Sequence, residues 1–154
     1  MGIPDQVLIG PDRILTIIPQ RPPIVMVDAL VSAEGNASVA ALEVRNDNIF
    51  CENGRLSEAG IIEHIAQSAA ARAGYAALVE KKDVRVGFIA AIKDLVLSEL
   101  PPVGAVLLTT ITVENEVMGV IIVKGVVKCD ACAASGGEIA RCEMKIFIVP
   151  EEGK

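Results

Sequence analysis

The hydrophobic and polar positions of the chain form two patterns: apolar runs typical of strands, and one long segment rich in Ala, Ile and Leu. The long segment follows a polar, turn-rich stretch at 46–57, and Ser57 before Glu58 is typical of a helix N-terminus. No proline interrupts the segment as far as Lys82, so the sequence predicts one helix over about 57–82. Because most of its side chains are small and apolar, this helix is expected to be enclosed by other elements.

Strand-like runs lie on both sides of the predicted helix. Those within 24–44 are broken at Glu34-Gly35-Asn36, which indicates a hairpin. Four longer runs follow the helix, at 85–97, 105–113, 117–129 and 139–149, with turns predicted at 100–104, at Asn115-Glu116 and at Ser135-Gly136-Gly137. A helix of about 24 residues spans roughly 36 Å, and strands of about 10 to 13 residues span roughly 33 to 43 Å. The order and lengths predict an α+β fold, in which a curled antiparallel sheet of about six strands wraps one central helix.

The composition indicates which side chains form the core and how apolar the surface is. The chain is 52% apolar with three Phe, one Tyr and no Trp, so the core is expected to be aliphatic. No linker or shift in composition divides residues 1–154, which predicts a single domain. A mean hydropathy of +0.50 is high for a chain of this size, and we interpret the surplus apolar surface as a subunit interface.

Charge and the N-terminal sequence exclude several classes of function. A formal charge of −6 argues against nucleic-acid binding, which needs clustered Lys and Arg. No apolar run approaches the roughly 18 residues of a membrane span. The segment 1–20 carries Asp5, Pro11 and Asp12 where a signal peptide would have a basic start and an apolar run. We therefore predict a cytoplasmic protein.

The four cysteines are predicted to be free thiols, since the chain carries no export signal. Cys129 and Cys132 form a C-x-x-C pair with Cys142 not far beyond them. A zinc site would need a fourth ligand, yet Cys51 is distant in sequence and His64 is the one histidine of the chain. We expect no metal and no cofactor.

Glu63 is the unusual residue of the predicted helix, because it lies among isoleucines at 61, 62 and 65. Gln67 follows four residues later, on the same helix face. Spacing alone leaves two interpretations open: a carboxylate solvated on an exposed stripe, or a buried, functional one. Adjacent helix residues point about 100° apart, so His64 is not expected to share the pocket of Glu63 and is predicted to have a surface or interface role.

Three segments resemble the β-hydroxyacyl-(acyl carrier protein) dehydratases. Residues 18–28, Ile-Pro-Gln-Arg-Pro-Pro-Ile-Val-Met-Val-Asp, resemble the family's Leu-Pro-His-Arg-x-Pro-Phe-Leu-Leu-Val-Asp. Residues 60–67, Gly-Ile-Ile-Glu-His-Ile-Ala-Gln, are similar to its Ile-Ile-Glu-Ala-x-Ala-Gln, and 87–89 with 101–104 are similar to its next strand and turn. The resemblance covers roughly 14–149 and is nearest to the dehydratase-like proteins of aryl-polyene and flexirubin pigment synthesis.

The resemblance implies a hotdog fold and a dimer whose acyl tunnels run along the subunit interface. In the family a histidine removes the α-proton of a β-hydroxyacyl thioester, and a helix carboxylate of the other subunit protonates the departing hydroxyl. Backbone amides at the helix N-terminus polarise the thioester carbonyl. By this resemblance Glu63 is the acid, and the substrate-binding residues are Ala59, Gly60, Gln67, Arg21 and Pro23.

The sequence departs from the family at the base, because Gln20 occupies the histidine position and an amide cannot take up a proton near neutral pH. Three functions stay open: a dehydratase-like lyase, an acyl-thioester hydrolase using Glu63 and Gln20, and a non-catalytic acyl-binding subunit. The expected partners are an acyl carrier protein or coenzyme A thioester and a second hotdog subunit, identical or different. Docking of an acidic carrier protein would need a basic patch, for which the candidates are Arg21, Lys81, Lys82, Arg85 and Lys93.

Overall fold

The computed structural model describes residues 2–133 and 135–150, so the predicted single domain of 1–154 extends over six residues outside this range. The described part contains one long helix, eight strands and two short 3₁₀ turns. Their bounds are β1 (Ala29–Glu34), β2 (Ala37–Glu43), β3 (Cys51–Glu52), β4 (Arg55–Leu56), α1 (Glu58–Val79), β5 (Gly87–Leu97), β6 (Val106–Val117), β7 (Val120–Cys129) and β8 (Glu138–Ile148), with the 3₁₀ turns at Ile14–Thr16 and Ser135–Gly137.

Six of the strands form one sheet in the order β1-β2-β6-β7-β8-β5, and every neighbouring pair is antiparallel. The helix α1 packs against all six of these strands. This is the α+β arrangement of a six-stranded antiparallel sheet around one helix that the sequence predicts. The remaining strands, β3 and β4, form a small separate hairpin just before the helix, in the segment that the sequence predicts only as turns.

The helix starts where the sequence predicts and ends three residues earlier. The Ser57 hydroxyl caps the first turn by accepting a hydrogen bond from the Gly60 N–H at 3.3 Å. At the other end Lys81 has a φ of +58°, and the Lys82 N–H bonds to the Ala77 carbonyl at 2.8 Å. This left-handed residue reverses the chain and ends the helix at Val79.

The core between helix and sheet is aliphatic, as composition predicts. Its largest fully buried side chains are Ile, Leu and Met, together with one histidine. The main cluster joins the helix residues Ile61 and Ile65 to sheet residues such as Leu107. A second cluster, including Ile17 and Ala71, anchors the N-terminal segment to the other side of the helix.

The turn between β6 and β7 lies at Met118-Gly119, not at Asn115-Glu116. Both turn residues have left-handed backbones, with φ of +54° and +80°, which suits a two-residue hairpin turn. Asn115 and Glu116 instead pair with Ile122 and Ile121 of β7, and the pairing is irregular just before them, where Glu114 has no partner. The polar dipeptide therefore follows a bulge within a strand, and the prediction of a turn there is wrong.

The prediction of four free thiols is wrong for one pair. Cys129 and Cys132 form a disulfide with a Cα–Cα distance of 5.5 Å, while Cys51 and Cys142 are free. Cys129 is the last residue of β7, and the chain turns back at once, which brings the two Cα atoms within the span of a disulfide. Among residues 2–133 and 135–150, no group of three His, Cys, Asp or Glu side chains is placed to hold a metal ion.

The two edges of the sheet differ in how they are covered. The N-terminal segment lies along β1, where Ile9 and Leu30 form an isolated bridge. At the opposite edge β5 pairs with β8 on one side only and carries exposed apolar side chains, including Phe88 at 62% and Val96 at 57% exposure. Within the described ranges, no helix is long and apolar enough to cross a membrane.

Candidate functional site

A cavity of about 280 Å³ lies between α1 and the β5–β8 side of the sheet. The helix contributes a row of alanines, whose small side chains leave the space open. The apolar lining consists of Ala66, Ala69, Ala70, Ala73, Gly87, Phe88, Ile89, Ile111, Val113, Ile121, Val123, Ile146 and Ile148. The polar lining is Gln20, Glu63, Arg72 and Arg85.

Glu63 is half-buried on the wall of this cavity. Its Oε1 accepts a hydrogen bond of 2.8 Å from Gln67 Nε2, one helical turn further along. The sequence leaves two interpretations open, solvated or buried, and the side chain is neither fully exposed nor fully buried, with apolar side chains lining the cavity around it. Its role as proton donor stays a prediction.

Gln67 is fully buried and holds two elements together. Its Oε1 accepts from the Met26 N–H at 2.5 Å, while its Nε2 donates to the Ile24 carbonyl at 2.8 Å as well as to Glu63. The side-chain amide thus accepts from one backbone N–H and donates to one backbone carbonyl of the segment before β1, as the backbone of a neighbouring strand would. Because both polar atoms are already bonded within the chain, Gln67 positions Glu63, and its predicted contact with substrate stays a prediction.

Gln20 lies on the segment that leads from the N-terminal 3₁₀ turn to β1. Its Oε1 is buried and has no hydrogen-bond partner among the described residues. Arg21 stabilises this turn, since its Nη1 donates to the Ile18 carbonyl at 2.8 Å and to the Gln20 carbonyl at 2.7 Å. Gln20 and Glu63 of one chain line the same cavity, whereas the resemblance implies a carboxylate from the other subunit.

The other predicted substrate-binding residues do not line the cavity of this chain. Arg21 and Pro23 are exposed, as is Ala59 in the first turn of the helix. Gly60 is buried, and its N–H is taken by the Ser57 cap. A Cβ at Gly60 would lie 2.6 Å from Leu56 Cδ1, so the glycine lets the β3–β4 hairpin pack on the helix. An amide cradle at Ala59 and Gly60 therefore stays a prediction.

His64 is fully buried, so the predicted surface or interface role is wrong. Its Nδ1 bonds to the Met26 carbonyl at 2.7 Å, and its Nε2 bonds to Thr109 Oγ1 at 2.8 Å. A carbonyl can only accept, so Nδ1 is the donor and the neutral ring accepts at Nε2. As the spacing predicts, His64 does not line the cavity of Glu63. It links the segment before β1, the helix and β6.

Acidification is expected to destabilise the fold through His64. Burial lowers the pKa of this imidazole to about 4 from its usual 6.5, despite the hydrogen bond to Met26. The unfolded chain then binds the proton more readily than the folded one. The contribution of the neutral His64 ring to the unfolding free energy is therefore fully present above about pH 6.5 and is lost as the pH falls towards 4. The difference corresponds to about 3 kcal/mol of unfolding free energy.

Urea unfolding at several pH values between 7 and 4 measures this effect, with His64→Gln as the reference that lacks the titrating ring. The free-energy difference between wild type and variant should shrink as the pH falls. A difference that is constant over this range would contradict the assignment. Thr109→Val, which removes one ring partner and keeps the imidazole, should retain the pH dependence.

The architecture, with a curled antiparallel sheet around one long helix and a cavity between them, defines a hotdog-fold protein. The family model of the ApeP-like dehydratases, described as ApeP dehydratase, matches residues 12–153. The chain therefore belongs to the ApeP-like dehydratase family.

Solved structures with the same fold include three informative relatives. The dehydratase heterocomplex ApeI:P from Xenorhabdus doucetiae superposes with a TM-score of 0.80 at 16% identity, over 90% of this chain and 91% of that one. The smu.793 protein of Streptococcus mutans UA159, bound to acetyl CoA, superposes with a TM-score of 0.58 at 15% identity. The match covers 79% of this chain and 88% of that one. The E. coli PaaI protein from the phenylacetic acid degradation operon superposes with a TM-score of 0.58 at 11% identity. The match covers 77% of this chain and 80% of that one. No curated protein matches the chain.

Sequence reasoning missed Arg72 as a residue of this site. It lies on α1 within the alanine-rich stretch 69–73 and lines the cavity together with Arg85. Its position could have been noticed, since a single long charged side chain among alanines on an enclosed helix needs a partner or an opening to water. The sequence predicts Arg85 only as part of a docking patch.

Proposed function

We propose that this protein is a dehydratase-like lyase acting on β-hydroxyacyl thioesters, with Glu63 as the group that moves the proton. The observation that carries the proposal is the half-buried Glu63 carboxylate, held by Gln67 on the wall of an otherwise mostly apolar cavity. Membership of the ApeP-like dehydratase family supports the same chemistry. An acyl chain suits the apolar lining, since its burial there is favourable.

In the proposed reaction Glu63 serves as both base and acid. The carboxylate takes the α-proton, the electrons of the broken C–H bond form the new carbon–carbon double bond, and the β-hydroxyl departs. The same proton is returned to the departing oxygen, which leaves as water. Gln20 orients the hydroxyl, because its amide can accept and donate hydrogen bonds but cannot take up the proton. Dehydration is therefore expected to be slow, because Glu63 has no separate base beside it, and loss of a positioned general base typically costs about 10²- to 10⁴-fold in rate.

The substrate is proposed to be a thioester of an acyl carrier protein or of coenzyme A, in the cytoplasm. A relative with the same fold is described as bound to acetyl CoA, which supports a thioester ligand. The candidate docking residues Arg21, Lys81, Lys82, Arg85 and Lys93 are all exposed. Lys82 is paired with Glu80 at 3.2 Å, so it is the weakest of these candidates for an acidic carrier.

Product analysis of the wild-type protein tests the proposal. Incubated with a β-hydroxyacyl thioester, it should form the enoyl thioester, and Glu63→Gln should lower this rate by at least about 10²-fold because an amide cannot transfer the proton. Glu58→Gln is the matched control, since Glu58 is exposed at the start of the same helix and does not line the cavity. Free thiol formed only when Gln20 and Glu63 are both present would indicate a hydrolase instead. Acyl binding without any turnover would indicate a non-catalytic subunit.

We further propose that a second hotdog subunit, identical or different, pairs along the open edge of β5. The apolar side chains on this edge and the description of a related structure as a heterocomplex support it. An unpaired edge of this length is otherwise prone to non-specific pairing.

Sedimentation of the purified chain, alone and with a candidate partner dehydratase, tests the pairing. We expect a dimer or a multiple of one in at least one of the two samples, and Val96→Glu should weaken it by placing a charge on the edge strand. Val79→Glu is the control, because Val79 is 65% exposed at the end of α1. A stable monomer in both samples at micromolar concentration would contradict the proposal.

A further inference from the structure

Two arginines lie where the cavity meets the surface. Arg72 and Arg85 line both the cavity and an adjoining surface depression, which also carries Lys82 and the acidic residues Glu80, Asp83 and Glu116. The latter four residues do not line the cavity itself. Arg72 is nine residues beyond Glu63 on α1, which corresponds to about 13 Å along the helix axis. The cavity therefore has a carboxylate near one end and two guanidinium groups at its rim.

Arg72 lacks the partners that a guanidinium in this position needs. Its Nη2 donates to the Gly35 carbonyl at 2.8 Å, but its Nε is buried and has no hydrogen-bond partner among the described residues. Within residues 2–133 and 135–150, neither Arg72 nor Arg85 takes part in an ion pair. The Nη1 atom of Arg72 makes no hydrogen bond to a described residue and is not buried, so it can donate to an acceptor from outside the chain.

We propose that Arg72 and Arg85 form an anion-binding rim that recognises a phosphate or carboxylate of the substrate remote from its reacting atoms. The guanidinium fork matches both groups through paired N–H donors. The inference rests on the proposed function, since it takes the cavity as the acyl-thioester site. Two parts of such a substrate can supply the anion: the phosphate of the pantetheine arm, or a carboxylate at the far end of the acyl chain.

Direct binding of two ligand pairs separates these sources and needs no turnover. The first pair is 4′-phosphopantetheine and pantetheine, and the second is monomethyl dodecanedioate and methyl dodecanoate; each pair differs by one anionic group. Calorimetric titration of the wild-type protein should show about tenfold tighter binding of the charged member in one of the two pairs, as expected for a charge-assisted hydrogen bond. The pair that discriminates identifies the source of the anion.

Replacing both arginines, Arg72→Gln with Arg85→Gln, should reduce this preference, measured as the ratio of the two affinities in the pair, to less than about twofold. Lys124→Gln is the matched control, because Lys124 is exposed on β7 and does not line the cavity. If the loss of the Arg72 bond to Gly35 impairs folding, Arg85→Gln alone should still lower the preference at least about threefold.

The proposal is overturned if wild-type protein discriminates in neither pair, or if the preference survives the double substitution. Failure of the proposed function gives a different result. The Glu63→Gln variant retains both arginines, so it should retain the preference for the anionic ligand. A wild-type protein that binds with this preference but never dehydrates a substrate would contradict the lyase assignment alone.

Discussion

Gly74→Ala is expected to destabilise the protein by about 3 kcal/mol or more and to displace the N-terminal segment that carries Gln20. A Cβ at position 74 would lie 1.6 Å from the Ile17 carbonyl oxygen and 2.6 Å from its carbon. These are backbone atoms of a fully buried residue, so no side-chain rotation can relieve the overlap. The helix and the segment before Gln20 would have to move apart.

The urea midpoint and unfolding free energy measure this effect, and Ala76→Gly on the exposed part of the same helix is the control. The control exchanges the same two residue types in reverse and should cost only the helix-propensity difference of about 1 kcal/mol. If close approach did not matter at position 74, Gly74→Ala would instead stabilise the helix by a similar amount. An unchanged or higher midpoint would therefore contradict the packing argument.

Gln20→His is expected to raise the rate of β-hydroxyacyl thioester dehydration at least about tenfold, because it restores a general base on a cavity that already holds Glu63. The side chain starts from a favourable position, since Gln20 Oε1 is buried on the cavity wall and is not engaged by another described residue. Arg21 bonds to the backbone carbonyls of Ile18 and Gln20, so the turn itself does not depend on the amide that is replaced.

The gain should vanish when Glu63→Gln is added to Gln20→His, since the restored base still needs the proton donor. Initial rates of enoyl-thioester formation give the comparison, with Glu58→Gln added to Gln20→His as the control that keeps the gain. A faster Gln20→His enzyme that loses its advantage with Glu63→Gln supports a weakened dehydratase. If folded Gln20→His protein dehydrates the substrate no faster than the wild type, the assignment of position 20 as the place of the missing base is wrong.

The sequence alone predicted the long helix, the six strands of the main sheet and their α+β arrangement. Ser57 and the proline-free, alanine-rich stretch after it determine where α1 begins, because capping and helix propensity act within a few residues. The break at Glu34-Gly35-Asn36 likewise predicts the β1–β2 hairpin that the structure contains. The family of the chain also follows from short motifs around Gln20 and Glu63, and the match to ApeP-like dehydratases confirms it.

Tertiary structure decided what depends on residues distant in sequence. The burial of His64 against Thr109 follows from how the helix and the sheet meet, which no local pattern encodes. Gln67 resembles a ligand-binding residue in its motif, yet contacts 41 and 43 residues away occupy its amide. In the sequence Arg72 is indistinguishable from an ordinary surface residue of a helix. Its place at the cavity arises only because the sheet encloses the alanines beside it. Side-chain roles of this kind depend on long-range packing, because burial and hydrogen-bond partners arise only when the sheet closes around the helix.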